Sequence, residues 1–203
     1  MSISQLNVDV FRAINDIGKE HASLNPIAIF MADYMIFVLA LGMLVYWFTQ
    51  TNKNRMMVIQ GGVAFVLAEV LGKIAGTMYY HNQPFAELPH VNQLIAHAVD
   101  NAFPSDHSIL FFSVCFSFFL VRKKEGWLWL VFACIVGVSR IWVGVHYPGD
   151  VLTGALIGIV AALVAYWIVP KLGFVKTVLT KYEKVEQSLL PVKAKADDKS
   201  KNF

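Results

Sequence analysis

The chain has 203 residues, of which 57% are hydrophobic and 15% are charged, and its formal net charge is +3. Soluble domains are less apolar and more charged, so the composition argues against a soluble enzyme, a disordered chain and a nucleic-acid-binding protein. Cys115 and Cys134 both lie in apolar runs, which predicts buried thiols rather than disulfides or a CxxC metal site. The length fits one domain, and the composition predicts an all-α integral membrane protein.

The first 26 residues do not show the basic and apolar regions of a cleavable signal peptide. They carry instead a short apolar stripe among charged side chains, which predicts an amphipathic helix at the membrane interface. The stripe consists of Val8, Val10, Phe11, Ile14 and Ile17. We therefore expect an N-terminal interfacial segment over residues 1–26.

Five apolar segments follow, and each is a candidate transmembrane helix. They are Ile27–Phe48, Met56–Tyr80, a run from Pro104 to Val121, Trp127–Val145 and Val151–Val169. A helix needs about 20 residues to cross the ~30 Å hydrocarbon core of a bilayer. The third run reaches about 27 Å only if it begins at Pro104, which places Ser105, Asp106 and His107 in its first turn. The sequence thus predicts a bundle of five transmembrane helices plus the interfacial helix, in a transmembrane domain over residues 27–170.

Basic residues are concentrated in alternate connections between these segments. The loops after the first and third segments and the tail after the fifth hold most of the 17 Lys and Arg residues, whereas residues 81–103 contain none. The positive-inside rule places the basic loops in the cytoplasm, and the N-terminus and the 81–103 loop outside the cell. Residues 171–203 are expected to form a basic cytoplasmic tail with a surface helix and a disordered end.

Four ends of the five predicted spans meet at the outer face, and the unusual polar residues cluster there. They are Lys73, Ser105, Asp106, His107, Ser139, Arg140, His146 and Asp150. An ionisable residue within a span costs several kcal/mol and is a functional-site hypothesis by default. Pro104 and Pro148 suit the first position of a helix, so two helix N-termini with free N–H groups also point to this face. The pattern predicts a site for a phosphate group at the membrane surface.

Two histidines on separate elements can supply the chemistry. His146 stands four residues before Asp150, whose carboxylate can hold one imidazole proton and leave the other nitrogen free as a nucleophile. His107 can act as a general acid toward the leaving group and then as a base toward water. The arrangement predicts phosphoryl transfer through a covalent phosphohistidine.

Two motifs resemble signatures of the type 2 phosphatidic acid phosphatase family. Residues 104–107, Pro-Ser-Asp-His, are similar to the family's second signature, usually Pro-Ser-Gly-His. Ser139 and Arg140, followed by His146 and Asp150, match the third signature with the expected spacing. The resemblance implies a six-helix family core, in which the N-terminal helix stands in for one span. Within the family, the segment His-Asn-Gln-Pro-Phe at 81–85 most resembles bacterial undecaprenyl-diphosphate phosphatases of the bacitracin-resistance type.

The resemblance implies a role for each matched position. His146 is then the nucleophile, Asp150 its orienting partner and His107 the general acid. The resemblance implies phosphate contacts for Ser105 and Arg140, and Ser139 and Asp106 are further candidate substrate contacts. Neither a metal nor another cofactor is implied. A metal site built from the two histidines and Asp150 is the disfavoured alternative, because Arg140 and Lys73 would repel a cation.

The family's first signature, Lys, six residues, Arg, Pro, is incomplete in this chain. Gln83 stands where the signature has arginine, and Lys73 lies three residues before the expected lysine. Both are candidate substrate contacts, although Lys73 also has the spacing for an ion pair with Glu69. Asp106 replaces the usual glycine, and its carboxylate either keeps His107 protonated or repels phosphate.

The expected function is hydrolysis of undecaprenyl diphosphate to undecaprenyl phosphate and inorganic phosphate at the outer face of the cell membrane. This reaction recycles the lipid carrier of cell-wall synthesis and protects against bacitracin, which binds the diphosphate. One alternative is a phosphatase for phosphatidic acid or phosphatidylglycerol phosphate, and another is a lipid or anion transporter. The expected partners are the polyprenyl diphosphate lipid and the bilayer, without nucleic acid, and the oligomeric state stays open. The remaining histidines, His21, His81, His90 and His97, are expected to be interfacial.

Overall fold

The computed structural model describes residues 2–49 and 51–189, and within these ranges the chain forms helices and loops without a strand. The helices are α1 (Ile3–Asn15), α2 (Ile17–Glu20), α3 (Asn25–Asp33), α4 (Met35–Phe48), α5 (Asn52–Met78), α6 (Pro84–Glu87), α7 (Asp106–Val121), α8 (Lys123–Trp142), α9 (Pro148–Ile168) and α10 (Gly173–Leu189). Short 3₁₀ turns, Ala22–Leu24 and Val169–Lys171, precede α3 and follow α9. The predicted all-α membrane fold is confirmed.

The number of spans differs from the prediction. Among the described residues, three helices, α5, α8 and α9, are long and apolar enough to cross a bilayer. The first predicted span is divided into α3 and α4, which meet at a bend of 48° and raise the number to four if they count as one span. The third predicted span, α7, has 16 residues, or about 24 Å, and falls short of this criterion.

The length argument predicted that the third span begins at Pro104, but α7 begins at Asp106. The reason is that Ser105 caps the helix: its backbone is extended, and its Oγ accepts a hydrogen bond from the Ser108 N–H at 3.5 Å. Serine is among the preferred residues for this position. Pro148, by contrast, occupies the first turn of α9 as predicted.

α7 is the central helix of the bundle and packs against α5, α8 and α9. Phe111 and Phe118 are fully buried, so the side of α7 that carries them is a packing surface. α9 approaches α7 closely through two glycines. A Cβ at Gly154 would lie 2.7 Å from the carbonyl oxygen of Ser105, and a Cβ at Gly158 would lie 2.8 Å from a backbone nitrogen of α7. Small residues at this spacing are typical of close helix pairs in membranes.

The two cysteines differ in burial. Cys115 of α7 is buried, as predicted, but Cys134 of α8 is exposed, so the prediction is wrong for this residue. Cys134 lies on the same helix face as Trp127 and Val138, which are also exposed. This apolar face of α8 is therefore directed away from the bundle.

α1 forms the predicted amphipathic helix, and its apolar side packs on protein. Phe11 is fully buried and contacts the ring of Tyr147, with the ring centroids 5.5 Å apart. The Nδ2 of Asn15 donates to the carbonyl oxygens of Asn92 at 3.0 Å and Trp142 at 2.8 Å. α1 therefore covers the connection between α8 and α9.

α10 is held at the opposite end of the bundle by a buried arginine. Arg55, near the start of α5, is 1% exposed, and its Nη2 donates to both carboxylate oxygens of Glu186 at 2.5 and 2.7 Å. Its Nε donates to the carbonyl oxygen of Trp47 at 3.2 Å, and Glu183 lies 3.7 Å from Nη1. The surface helix predicted in the tail thus has a tertiary anchor, whereas the predicted disordered end, within residues 190–203, lies outside the described residues.

Candidate active site

The ends of α5, α7, α8 and α9 that carry the predicted polar residues meet at one end of the bundle. The N–H of Ser105 donates to the carbonyl oxygen of Asp150 at 3.2 Å, which joins the starts of α7 and α9. The ring of His146, before α9, bonds to the carbonyl oxygen of Ala102, before α7, at 3.0 Å. Asn101, in the same loop as Ala102, donates to a carbonyl oxygen in the last turn of α5 at 2.9 Å.

His146 is buried, and its hydrogen bond fixes its tautomer. A carbonyl oxygen only accepts, so Nδ1 carries the hydrogen toward Ala102 and the neutral ring has an unprotonated Nε2. Burial lowers the pKa of His146, against the effect of Asp150, and the positive charge of Arg140 lowers it further. The ring is therefore neutral at pH 7, and its Nε2 lone pair is available as a nucleophile.

The carboxylate of Asp150 lies closer to Tyr147 and His81 than to His146, its predicted partner. Its Oδ2 accepts from the N–H of Tyr147 at 2.8 Å and lies 3.7 Å from Nδ1 of His146. Its Oδ1 lies 2.9 Å from Nε2 of His81. Because these two groups occupy the carboxylate, the hydrogen bond expected between Asp150 and His146 is replaced in this structure by the bond from His146 to Ala102.

His107 lies half-buried in the first turn of α7 and makes no hydrogen bond with the described residues. Arg140, His146 and His97 lie within electrostatic range of its ring. The structure thus places the two predicted catalytic histidines and Arg140 at one end of the bundle, within electrostatic range of one another. Asp106 is exposed next to His107, and its charge acts on Arg140.

Arg140 is 2% exposed and lies in the last turn of α8. Its Nη1 donates to the carbonyl oxygen of Ala32 at 3.1 Å and lies 3.6 Å from Oδ1 of Asp33. Its Nε is buried without a hydrogen-bond partner in the described part of the chain. An unpaired buried donor is costly, and a guanidinium is suited to bidentate phosphate binding, so the group fits an anionic ligand. The neighbouring Ser139 is buried, and its hydroxyl donates to Val136 at 2.7 Å within the helix.

Three other predicted substrate contacts have different surroundings. The Oγ of Ser105 accepts the hydrogen bond that caps α7. Gln83 is fully buried, and Asp100 bonds to both ends of its amide, so it braces the loop after α5. Lys73 is exposed on α5 and forms neither the suggested ion pair with Glu69 nor a hydrogen bond with another described residue.

Two histidines that the sequence analysis placed at the interface belong to this site. His81 contacts Asp150, and the ring centroid of His97 lies 6.3 Å from that of His146. The available signal for His81 was its position two residues before Gln83, within the incomplete first signature. Its contact with Asp150, 69 residues later, could not be predicted from the sequence around His81.

The chain is similar to known proteins over most of its length. Residues 56–174 match the family model described as the PAP2 superfamily. The chain is 60% identical over 203 residues to the bacitracin transport permease protein BcrC of Bacillus licheniformis, with both chains covered completely. It is 30% identical to the undecaprenyl-diphosphatase BcrC of Bacillus subtilis, covering 91% of this chain and 95% of the relative. The crystal structure of Aquifex aeolicus LpxE superimposes with a TM-score of 0.64 at 26% identity, covering 82% of this chain and 99% of that one. The protein therefore belongs to the PAP2 superfamily and is a multi-pass membrane phosphatase, as its second and third signatures indicated.

Proposed function

We propose that this protein hydrolyses undecaprenyl diphosphate to undecaprenyl phosphate and inorganic phosphate through a phosphohistidine at His146. The observation that carries the proposal is the hydrogen bond from Nδ1 of His146 to Ala102, which leaves Nε2 free, with Arg140 and His107 within electrostatic range of the ring. The name of the Bacillus subtilis relative, undecaprenyl-diphosphatase, supports the choice of a lipid diphosphate as substrate.

In the first step, Nε2 of His146 attacks the terminal phosphorus of the diphosphate. The bond from this phosphorus to the bridging oxygen breaks, and undecaprenyl phosphate leaves with the electron pair and a proton from His107. The guanidinium of Arg140 and the N–H groups at the start of α7 stabilise the charge on the transferring phosphoryl group, whereas the N–H of Gly149 at the start of α9 is already bonded to Asn7. Ser105 is proposed as a further phosphate contact, because its Oγ accepts the bond that caps α7 and its hydroxyl hydrogen can still be donated. The hydroxyl hydrogen of Ser139 goes to the Val136 carbonyl in this structure, so a phosphate contact of Ser139 requires that bond to break.

In the second step, His107 accepts a proton from water as the water oxygen attacks the phosphohistidine. The nitrogen–phosphorus bond breaks, its electron pair returns to Nε2 of His146, and inorganic phosphate leaves. Asp150, with Oδ2 at 3.7 Å from Nδ1, stabilises the positive charge that the ring carries while it is phosphorylated. One diphosphate and one water thus give one lipid monophosphate and one phosphate.

We also propose that the site faces the outside of the cell and that the C-terminus is cytoplasmic. Arg122, after α7, donates to Asn54 in α5 at 2.9 Å, and Arg55 binds α10, so the basic loops and the tail lie together at one end of the bundle. His146 lies at the other end. The positive-inside rule assigns the basic end to the cytoplasm. A site on the outer face would recycle the lipid carrier and remove the diphosphate that bacitracin binds.

The decisive experiment is detection of phosphate on His146. Purified protein is mixed with undecaprenyl diphosphate labelled with ³²P in its terminal phosphate, and the reaction is quenched in alkali because phosphohistidine is labile in acid. We expect label on His146 and its loss in His146→Ala, while His21→Ala, at an exposed histidine outside the site, keeps it. Turnover without a labelled histidine would contradict the proposal.

The name of the Bacillus licheniformis relative favours a second candidate, a transporter. A transporter that binds its anionic ligand through Arg140 should retain function in His146→Ala, whereas a phosphohistidine enzyme should lose almost all turnover. The lipid class is tested by the rates of phosphate release from undecaprenyl diphosphate, phosphatidic acid and phosphatidylglycerol phosphate. Faster release from a glycerol lipid would overturn the proposed substrate.

A further inference from the structure

His81 lies in the loop between α5 and α6, and both of its ring nitrogens face oxygen acceptors. Nδ1 lies 2.9 Å from the carbonyl oxygen of Asn82, and Nε2 lies 2.9 Å from Oδ1 of Asp150. A carbonyl oxygen and an ionised carboxylate can only accept, whereas a neutral imidazole has a single N–H. The two bonds form together only if the ring is an imidazolium.

The surroundings of His81 favour this charged form. Its side chain is 14% exposed and that of Asp150 is 2% exposed, so the pair is largely shielded from water. The facing charged or titratable groups are Asp150 from α9, Glu87 from α6, and the phenols of Tyr147 and Tyr79. Burial lowers the pKa of His81, but the bond and charge of Asp150, the Asn82 carbonyl and the Glu87 charge outweigh it, so the pKa is raised above 6.5.

The phenol of Tyr147 does not replace His81 as the titrating group of this cluster at neutral pH. The hydroxyl of Tyr147 donates to Oε2 of Glu87 at 3.1 Å, and burial, with the charge of Glu87, raises the pKa of Tyr147 above its ordinary value. The other oxygen of Glu87 accepts the N–H of Asn82 at 2.9 Å, which holds the loop beside His81. Asp150, Glu87 and His81 therefore form a group of two carboxylates and one imidazole, and the His81 imidazolium is the positive charge in hydrogen-bond contact with Asp150.

We propose that His81 is a positioning residue that, as an imidazolium, keeps the buried Asp150 carboxylate ionised and holds its Oδ2 toward His146. The proposal rests on the proposed function, since Asp150 acts there through His146. The first signature of the family has an arginine at the position of Gln83, whose amide is occupied by Asp100 in this chain. His81 supplies a positive charge in the same loop, and this charge depends on pH.

The dependence on pH has a definite sign. A group with a raised pKa keeps its charge below that pKa and loses it as the pH rises through it. Deprotonation of His81 removes one of its two N–H donors and leaves the buried carboxylate without a positive partner. We therefore expect the rate of phosphate release to decline on the alkaline side of the His81 titration.

The first test compares wild type with His81→Gln over the pH range of activity, using undecaprenyl diphosphate in detergent micelles. Glutamine keeps one donor for Asp150 but has no charge and does not titrate. At pH 6 we expect kcat to fall about 10- to 100-fold with KM within about threefold, which is the size of loss found when a group that orients a metal-binding side chain is changed. The two rates should converge as the pH rises above the pKa of His81. A constant ratio at every pH, or no loss at all, would overturn the proposal.

A second variant and a direct measurement cover the case in which His81→Gln does not fold. His81→Lys keeps a positive charge to about pH 10, so its rate should stay level where that of the wild type declines. The ¹⁵N shifts of labelled histidine, assigned with either variant, should show both His81 nitrogens protonated at pH 6.5. A neutral tautomer there would refute the imidazolium, whether or not the protein is a phosphatase. His21→Gln, the same change at an exposed histidine, is the matched control and should follow the wild type throughout.

Discussion

Substitution of Gly154 by alanine tests whether the spacing of α7 and α9 sets the geometry of the site. A Cβ at this position would lie 2.7 Å from the Ser105 carbonyl oxygen and 2.9 Å from Cβ of Ser108, whereas ordinary contacts begin near 3.4 Å. The two helices must therefore separate by about 0.7 Å. Asp150 lies one turn before Gly154 on α9, and His107 lies in the first turn of α7, so the separation moves the two groups apart.

Two magnitudes follow for Gly154→Ala. Overpacking costs about 1–3 kcal/mol, which for a chain of this size lowers the Tm by roughly 2–12 °C. A displacement of about 1 Å in a catalytic group can reduce the rate about 100-fold, so we expect kcat to fall about 10- to 100-fold. The assays are thermal unfolding in detergent and phosphate release from undecaprenyl diphosphate.

Gly62→Ala is the matched control for this experiment. Gly62 lies inside α5, and a Cβ there would have no atom within 4 Å. Because glycine destabilises a helix interior by about 0.5–1 kcal/mol relative to alanine, this variant should be as stable as the wild type or slightly more so, with unchanged kcat. Wild-type Tm and kcat in Gly154→Ala, or equal losses in both variants, would refute the reasoning.

Three further outcomes are expected. Because the pKa of His146 is lowered, protonation should remove the nucleophile only below pH 6.5, and an acid limb of kcat/KM centred above pH 6.5 would be inconsistent with a buried neutral ring. Arg140→Lys should lower kcat/KM about 100- to 1000-fold, because lysine lacks the two-pronged donor group of the guanidinium. Asp33→Asn, at a carboxylate that is 41% exposed, should lower kcat/KM less than about tenfold. Similar losses in the two variants would assign the role to the ion pair between Arg140 and Asp33. Phosphate release should be equal with and without EDTA, and a loss that added metal restores would instead support metal-dependent hydrolysis.

The helices and the site cluster could be predicted because their signals are local. Apolar runs mark α5, α8 and α9, and the fixed spacing from Ser139 to Asp150 places its polar residues around one helix-to-helix connection. Covalent spacing alone brings His146 and Asp150 into one turn. These features depend on few contacts between distant parts of the chain, so the sequence pattern carries them.

The bend between α3 and α4 could not be predicted, because a distant residue stabilises it. The apolar run from 27 to 48 has neither proline nor glycine at the break. Ending α3 at Asp33 frees backbone carbonyl groups, and Arg140 donates to that of Ala32. The pairing of His81 with Asp150 could not be predicted for the same reason, since it joins a loop to the start of a helix 69 residues later in the chain.

The anchor between Arg55 and Glu186 has a practical consequence for handling the protein. If the chain is shortened before α10, the buried guanidinium of Arg55 loses its carboxylate partners. Loss of one partner of a buried ion pair lowers the free energy of unfolding by about 3–5 kcal/mol. Affinity tags and fluorescent fusions are therefore best attached after this helix and not in its place. A loss of expression on truncation would then report a broken anchor and not a missing catalytic group.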